Sequence, residues 1–91
     1  MFEKGRKKGT YRFVLRSTNG VAKVALAGDF NNWQPARMRK QKDGSYVSVV
    51  PLVPGTYEYK FIVDGRWVVD EENGAFAWNP YGSVNSVAVA Q

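Results

Sequence analysis

Turn signals break this chain into pieces that suit strands. Asn19-Gly20, Asp43-Gly44, Pro54-Gly55 and Asp64-Gly65 punctuate it, and the loop "DFNNWQP" occupies 29–35. Short β-rich runs lie between these signals, and none reads as a long amphipathic helix. "TYRFVLR" (10–16) alternates Tyr11, Phe13 and Leu15 against Arg12 and Arg16, the pattern of a half-buried strand. "AKVALAG" (22–28) is the next strand, followed after the loop by one around 37–41. Asp43-Gly44 then turns the chain into "SYVSVVPL" (45–52), and Pro54-Gly55 suits the central pair of a type II turn. "TYEYKFIV" (56–63) turns at Asp64-Gly65 into "RWVVD" (66–70), and a long loop leads to a last strand at 84–90. About seven strands at short spacing predict an all-β, antiparallel sandwich of immunoglobulin-like type. Residues 1–9 read as a basic, flexible tail and 10–91 as one domain.

Composition removes several function classes. The 91 residues include no cysteine and no histidine, so the commonest general base and the usual zinc ligands are missing. No metal and no cofactor is expected, and catalysis is not expected. A glycoside hydrolase sets two carboxylates roughly 5–10 Å apart in a cleft. Here Asp29, Asp43 and Asp64 have turn roles, Glu58 belongs to a strand, and Asp70, Glu71 and Glu72 read as a solvated charge run. No apolar run approaches the roughly 20 residues that span a bilayer, so no membrane partner is expected. Without disulfides, a reducing, cytoplasmic setting is the expectation. The net charge of +5 is concentrated at Lys4, Arg6, Lys7 and Lys8 and at Arg37, Arg39, Lys40 and Lys42. Such clusters attract nucleic acid or anionic surfaces. The favoured reading is a solvated tail plus a charged edge that discourages edge-to-edge pairing, because no aromatics interleave with the charges as a nucleic-acid platform requires.

Two tryptophans stand where turns are expected. With Asp64 and Gly65 as a two-residue hairpin loop, Val63 pairs with Arg66 and Ile62 with Trp67. Opposed residues share a face and neighbours alternate. Tyr57, Tyr59, Phe61 and Val63 form the apolar, core-facing set, so Glu58, Lys60, Ile62 and Trp67 point outward. Trp33 sits among loop formers. Phe30 is the better residue to plug the core from that turn, with Asn31 and Asn32 holding it and Trp33 presented by it; the alternative is that Trp33 is a hydrophobic lid.

"VALAGDFNNWQP", "PGTYEYKFIVDGRWVVD" and "NPYGSVNSV" follow one another in the order seen in carbohydrate-binding module family 48, which this chain resembles over residues 10 to 90. That family includes the glycogen-binding domain of the β subunit of AMP-activated protein kinase and early-set domains of α-glucan branching and debranching enzymes. The resemblance implies a sandwich that binds α-1,4-linked glucans such as glycogen, starch and malto-oligosaccharides. It implies stacking of sugar rings on Trp33 and Trp67 and hydroxyl hydrogen bonds from Lys60 and Asn85, with Tyr81 and Ser83 contributed by the loop before that asparagine. Physical chemistry agrees, since a flat indole complements the C–H face of a pyranose and an amide pairs with adjacent hydroxyls. The implied partners are an α-glucan and a larger α-glucan-processing enzyme or kinase assembly. The alternative is a structural or protein-interaction early-set domain without sugar binding. "ENGAFAW" (72–78) matches nothing in the family pattern, leaving Trp78 as core, lid or extra contact.

Overall fold

The computed structural model describes residues 1–16, 20 and 23–91. Among the described residues ten strands follow in chain order: β1 (Phe2–Lys4), β2 (Thr10–Leu15), β3 (Val24–Gly28), β4 (Ala36–Arg37), β5 (Arg39–Lys40), β6 (Tyr46–Pro51), β7 (Gly55–Val63), β8 (Arg66–Val68), β9 (Phe76–Trp78) and β10 (Val84–Ala90). A short 3-10 turn, Asp29–Asn31, is the only helical element among the described residues. One sheet has the order β1-β2-β6-β5. The other has the order β4-β3-β7-β10-β9, with β8 also pairing with β7. Every pairing is antiparallel. The architecture is the expected antiparallel sandwich.

The alternation read from the sequence fills its centre. Tyr11 and Phe13 of β2 meet Tyr59 and Phe61 of β7, with Val24 and Leu26 of β3, Tyr46 of β6 and Ala88 and Ala90 of β10 around them. Phe13 meets Tyr59 edge-on at 4.8 Å, and burying each such side chain contributes about 1.5–3 kcal/mol. Tyr59 carries a hydroxyl into this core, and that group is satisfied. It donates to Asp70 Oδ2 at 2.8 Å and accepts from Asn73 Nδ2 at 2.9 Å. Asp70 N–H in turn donates to Ser86 Oγ. Burial raises the Tyr59 pKa above the ordinary phenol range.

Five local expectations change. Asp70, read as part of a solvated charge run, is buried, because its carboxylate satisfies the core hydroxyl of Tyr59. Residues 2–4, assigned to a basic tail, form β1, because Phe2 stacks on Tyr11 at 5.2 Å and packs on Phe13 at 5.0 Å. The strand expected around 37–41 is two pieces. Arg37 pairs with Ala25 in one sheet and Arg39 with Val47 in the other, and the buried Met38 marks the crossing. Gly55 lies outside the left-handed region a type II turn requires at its position, and begins β7 opposite Ala90 instead. The Tyr57 hydroxyl closes this bend onto the Val53 carbonyl at 2.7 Å. The loop before the last strand contains β9, which pairs with β10. Of the Asn19-Gly20 signal, Gly20 has φ 72° and Asn19 lies outside the described residues.

Candidate functional site

The Asp64-Gly65 turn fixes where Trp67 faces. Both residues have positive φ, 49° and 86°, as a type I′ hairpin requires. The register is Val63 with Arg66 and Ile62 with Trp67, as the two-residue loop predicts. Asp64 also docks the turn, its Oδ1 accepting Lys23 N–H at 2.8 Å while its own N–H donates to Lys23 O. Trp67 therefore stands on the sheet face opposite Tyr59 and Phe61, with 49% of its surface exposed.

Trp33 reaches the same face by another route. Asn31 braces the loop, accepting Gly28 N–H at 3.0 Å through Oδ1 and donating to the Leu26 carbonyl at 3.1 Å. Asn32 contributes through its backbone, with φ 57°. Phe30 turns inward, 5.1 Å from Phe13 and packed on the core. Trp33 is itself left-handed, φ 59°, a conformation that costs a bulky residue on the order of 1–2 kcal/mol. Two hydrogen bonds hold it there. Its N–H donates to the Gly28 carbonyl and its indole Nε1 to Asp29 Oδ1, both at 2.9 Å. The second Asp29 oxygen accepts the Glu58 N–H of β7 at 2.8 Å, so one carboxylate ties the ring to the sheet. The result is two adjacent indoles, centroids 6.5 Å apart and inclined at 33°.

Polar groups edge this platform. Lys60, two residues from Ile62 on the same face, places Nζ 3.3 Å from Ser83 Oγ. Asn79 Nδ2 donates to Ser83 Oγ at 2.6 Å and lies 3.3 Å from Asn85 Oδ1. Asn85 donates to Glu58 Oε1 at 2.9 Å and is buried. Lys60, Ser83 and Asn85 thus form one hydrogen-bonded network. Tyr81 stands apart, 93% exposed at the tip of its turn. Trp78 is 78% exposed and shares a face with Val84, the face that turns toward the core farther along β10. It is neither core nor a member of the indole pair.

Three residues escaped the sequence reading. Asp29 has a turn role but also orients an indole, Glu58 seats Asn85, and Asn79 organises the loop before β10. Asn79 Oδ1 accepts the N–H groups of Tyr81 and Ser83 at 2.9 and 3.1 Å. The signal for it was present in "NPYGS", since asparagine before a turn commonly accepts from the backbone two residues on. Among the described residues no group of three or more carboxylates gathers into a metal site.

A β-sandwich with paired indoles and adjoining ammonium, hydroxyl and amide groups on one sheet face defines the class, a carbohydrate-binding module. The chain belongs to the family described as the glycogen recognition site of AMP-activated protein kinase, whose model matches residues 11–91. It is 34% identical over 74 residues to the kinase subunit beta-1 of Sus scrofa, covering 81% of this chain and 59% of that protein. The Homo sapiens subunit beta-1 shows the same identity, with 27% of its length covered. Protein PTST homolog 2, chloroplastic, of Arabidopsis thaliana is 45% identical over 53 residues, 57% of this chain and 10% of that protein. The chain thus spans between 10% and 59% of the length of these relatives. The maltogenic amylase of S. marinus shares the fold, with a TM-score of 0.77 at 24% identity over all of this chain and 15% of the amylase.

Proposed function

We propose that this domain binds α-1,4-linked glucans (glycogen, starch and malto-oligosaccharides) without transforming them. The observation that carries the reading is the Trp33–Trp67 pair, 6.5 Å apart and half-exposed at Trp67. Two inclined platforms match a curved α-glucan better than a flat chain. Each sugar stack contributes roughly 1–3 kcal/mol, by analogy with base-on-aromatic stacking. Lys60 and Ser83 supply hydroxyl partners at the rim. Asn85 takes part from below, its amide already oriented by Glu58 and Asn79. Tyr81, projecting from the adjacent turn, closes over the outer side of the sugar chain.

The acids nearest the platform act as supports. Asp29 holds the indole and Glu58 holds Asn85, which favours a binding role over general acid–base work. Within a longer chain or assembly the domain serves as the glucan-targeting part of an α-glucan enzyme or a kinase complex. Affinity falls in the micromolar to millimolar range, roughly 4–8 kcal/mol, because water competes at so shallow a surface.

Titration with maltoheptaose tests this. Tryptophan fluorescence should change saturably, and Trp67→Ala should abolish saturable binding followed by calorimetry. A wild-type protein that gives no response at millimolar sugar overturns the proposal.

A further inference from the structure

The second feature of the molecule is a groove centred on the other sheet, which Arg37 reaches from β4 at the edge of the first, and it does not depend on sugar binding. The two basic clusters, at 4–8 and 37–42, converge there in space. Arg12 and Val49 are directly opposed, as are Arg39 and Val47, which places all four on the outer face of the β1-β2-β6-β5 sheet, away from Phe13. With Arg6, Lys7 and Arg37 they line an open groove of about 700 Å³. Glu3 is paired with Arg12 at 3.1 Å. The side chains of Arg6, Lys7, Arg37 and Arg39 have no carboxylate within ion-pair distance among the described residues. Four unpaired cations along one groove repel one another. They suit an anionic ligand, and arginine in particular suits paired oxygens.

The rest of the lining selects among anions. It contains no aromatic ring, so bases of a single strand have nothing to stack on. The three tryptophans and Tyr81 belong to the other sheet and its loops, and Tyr11, Phe13 and Tyr46 are buried in the core. Between the cations lies Val49, 57% exposed, an aliphatic surface that a sugar-phosphate backbone does not match. We infer that this groove docks an acidic polypeptide segment, its carboxylates on Arg6, Lys7, Arg37 and Arg39 and an aliphatic side chain on Val49. An extended segment of about ten residues is roughly 33 Å long.

The test is fluorescence anisotropy with a labelled peptide of about that length, with Glu, Glu, Leu, Glu and Glu at alternate positions and Ser between them so that the five face one side, beside a labelled oligothymidylate of equal charge. The 91-residue chain should bind the peptide saturably, and raising salt from 50 to 300 mM should weaken binding about tenfold as charges are screened. The double substitution Arg6→Glu and Arg39→Glu should abolish peptide binding while circular dichroism and maltoheptaose titration stay unchanged. Both side chains are exposed, Arg6 between β1 and β2 and Arg39 on a short edge strand, so the fold tolerates the change. Peptide binding that is absent, or that survives the double substitution, overturns the inference. So does an oligothymidylate that binds more tightly than the peptide and is lost in the same variant, which assigns the groove to nucleic acid.

Discussion

Asp29→Asn isolates the device that aims Trp33. The carboxylate accepts two hydrogen bonds at once, from the indole Nε1 at 2.9 Å and from Glu58 N–H at 2.8 Å. An asparagine of the same shape has one acceptor oxygen, so one of those donors then faces an NH2 group. Hydrogen bonds to a charged group contribute about 1.5–3 kcal/mol when well shielded. Both of these are exposed to solvent, which reduces the loss to about 1 kcal/mol for the one that fails. If that loss falls on ring orientation, glucan affinity drops about fivefold, since 1.4 kcal/mol corresponds to a factor of ten. Isothermal titration with maltoheptaose measures it, with Trp33→Ala as the limiting case and circular dichroism at the titration temperature confirming that the fold is retained. An Asp29→Asn protein with wild-type affinity, alongside a Trp33→Ala protein that has lost it, refutes the claim that this carboxylate holds the ring in place.

Two further predictions concern the fold beneath the platform. A methyl group on Gly28 would sit 2.7 Å from the Glu58 carbonyl oxygen and 2.7 Å from the Phe30 ring. The carbonyl belongs to β7 and cannot swing aside, so Gly28→Ala should lose about 1–3 kcal/mol, read as a lower urea midpoint; an unchanged midpoint contradicts the contact. Tyr59 has a folded-state pKa raised by burial above an unfolded value of about 10. The neutral phenol therefore adds full stability below pH 10, and that contribution is lost as pH climbs toward the folded value. The wild type should lose stability more steeply than Tyr59→Phe above pH 10, the extra slope approaching about 1.4 kcal/mol per pH unit beyond pH 11. Parallel slopes in urea unfolding across that range disprove it.

What the sequence disclosed, it disclosed through local rules. Asp64-Gly65 is a turn with one dominant geometry, so a dipeptide was enough to place Trp67 on the outer face. Alternation in 10–16 and 56–63 named the aromatic centre of the core, Tyr11, Phe13, Tyr59 and Phe61, because one buried face forces a period of two. The sheet change at Met38 was hidden, since two strands of two residues each are too short to carry a period. β9 was hidden for a similar reason, as Phe76, Ala77 and Trp78 form a three-residue strand whose rings are exposed. β1 owes its place to one phenylalanine finding Tyr11, a contact that no local pattern foretells. At the site, residue types identified the rings, whereas Asp29, Glu58 and Asn79 act through partners set by tertiary packing. The same packing sinks Asn85 below the surface, where its amide is visible only as part of a network.

The left-handed backbone at Trp33 bears on how such domains change over generations. Glycine at this position would relieve on the order of 1–2 kcal/mol of main-chain strain. That relief offsets much of what a half-buried indole gives up when it is removed. Selection for folding alone therefore has little reason to keep tryptophan at position 33. On the proposed function, a descendant that no longer bound glucan would lose little fold stability with this ring, whereas Phe30, three residues earlier, must stay for the core.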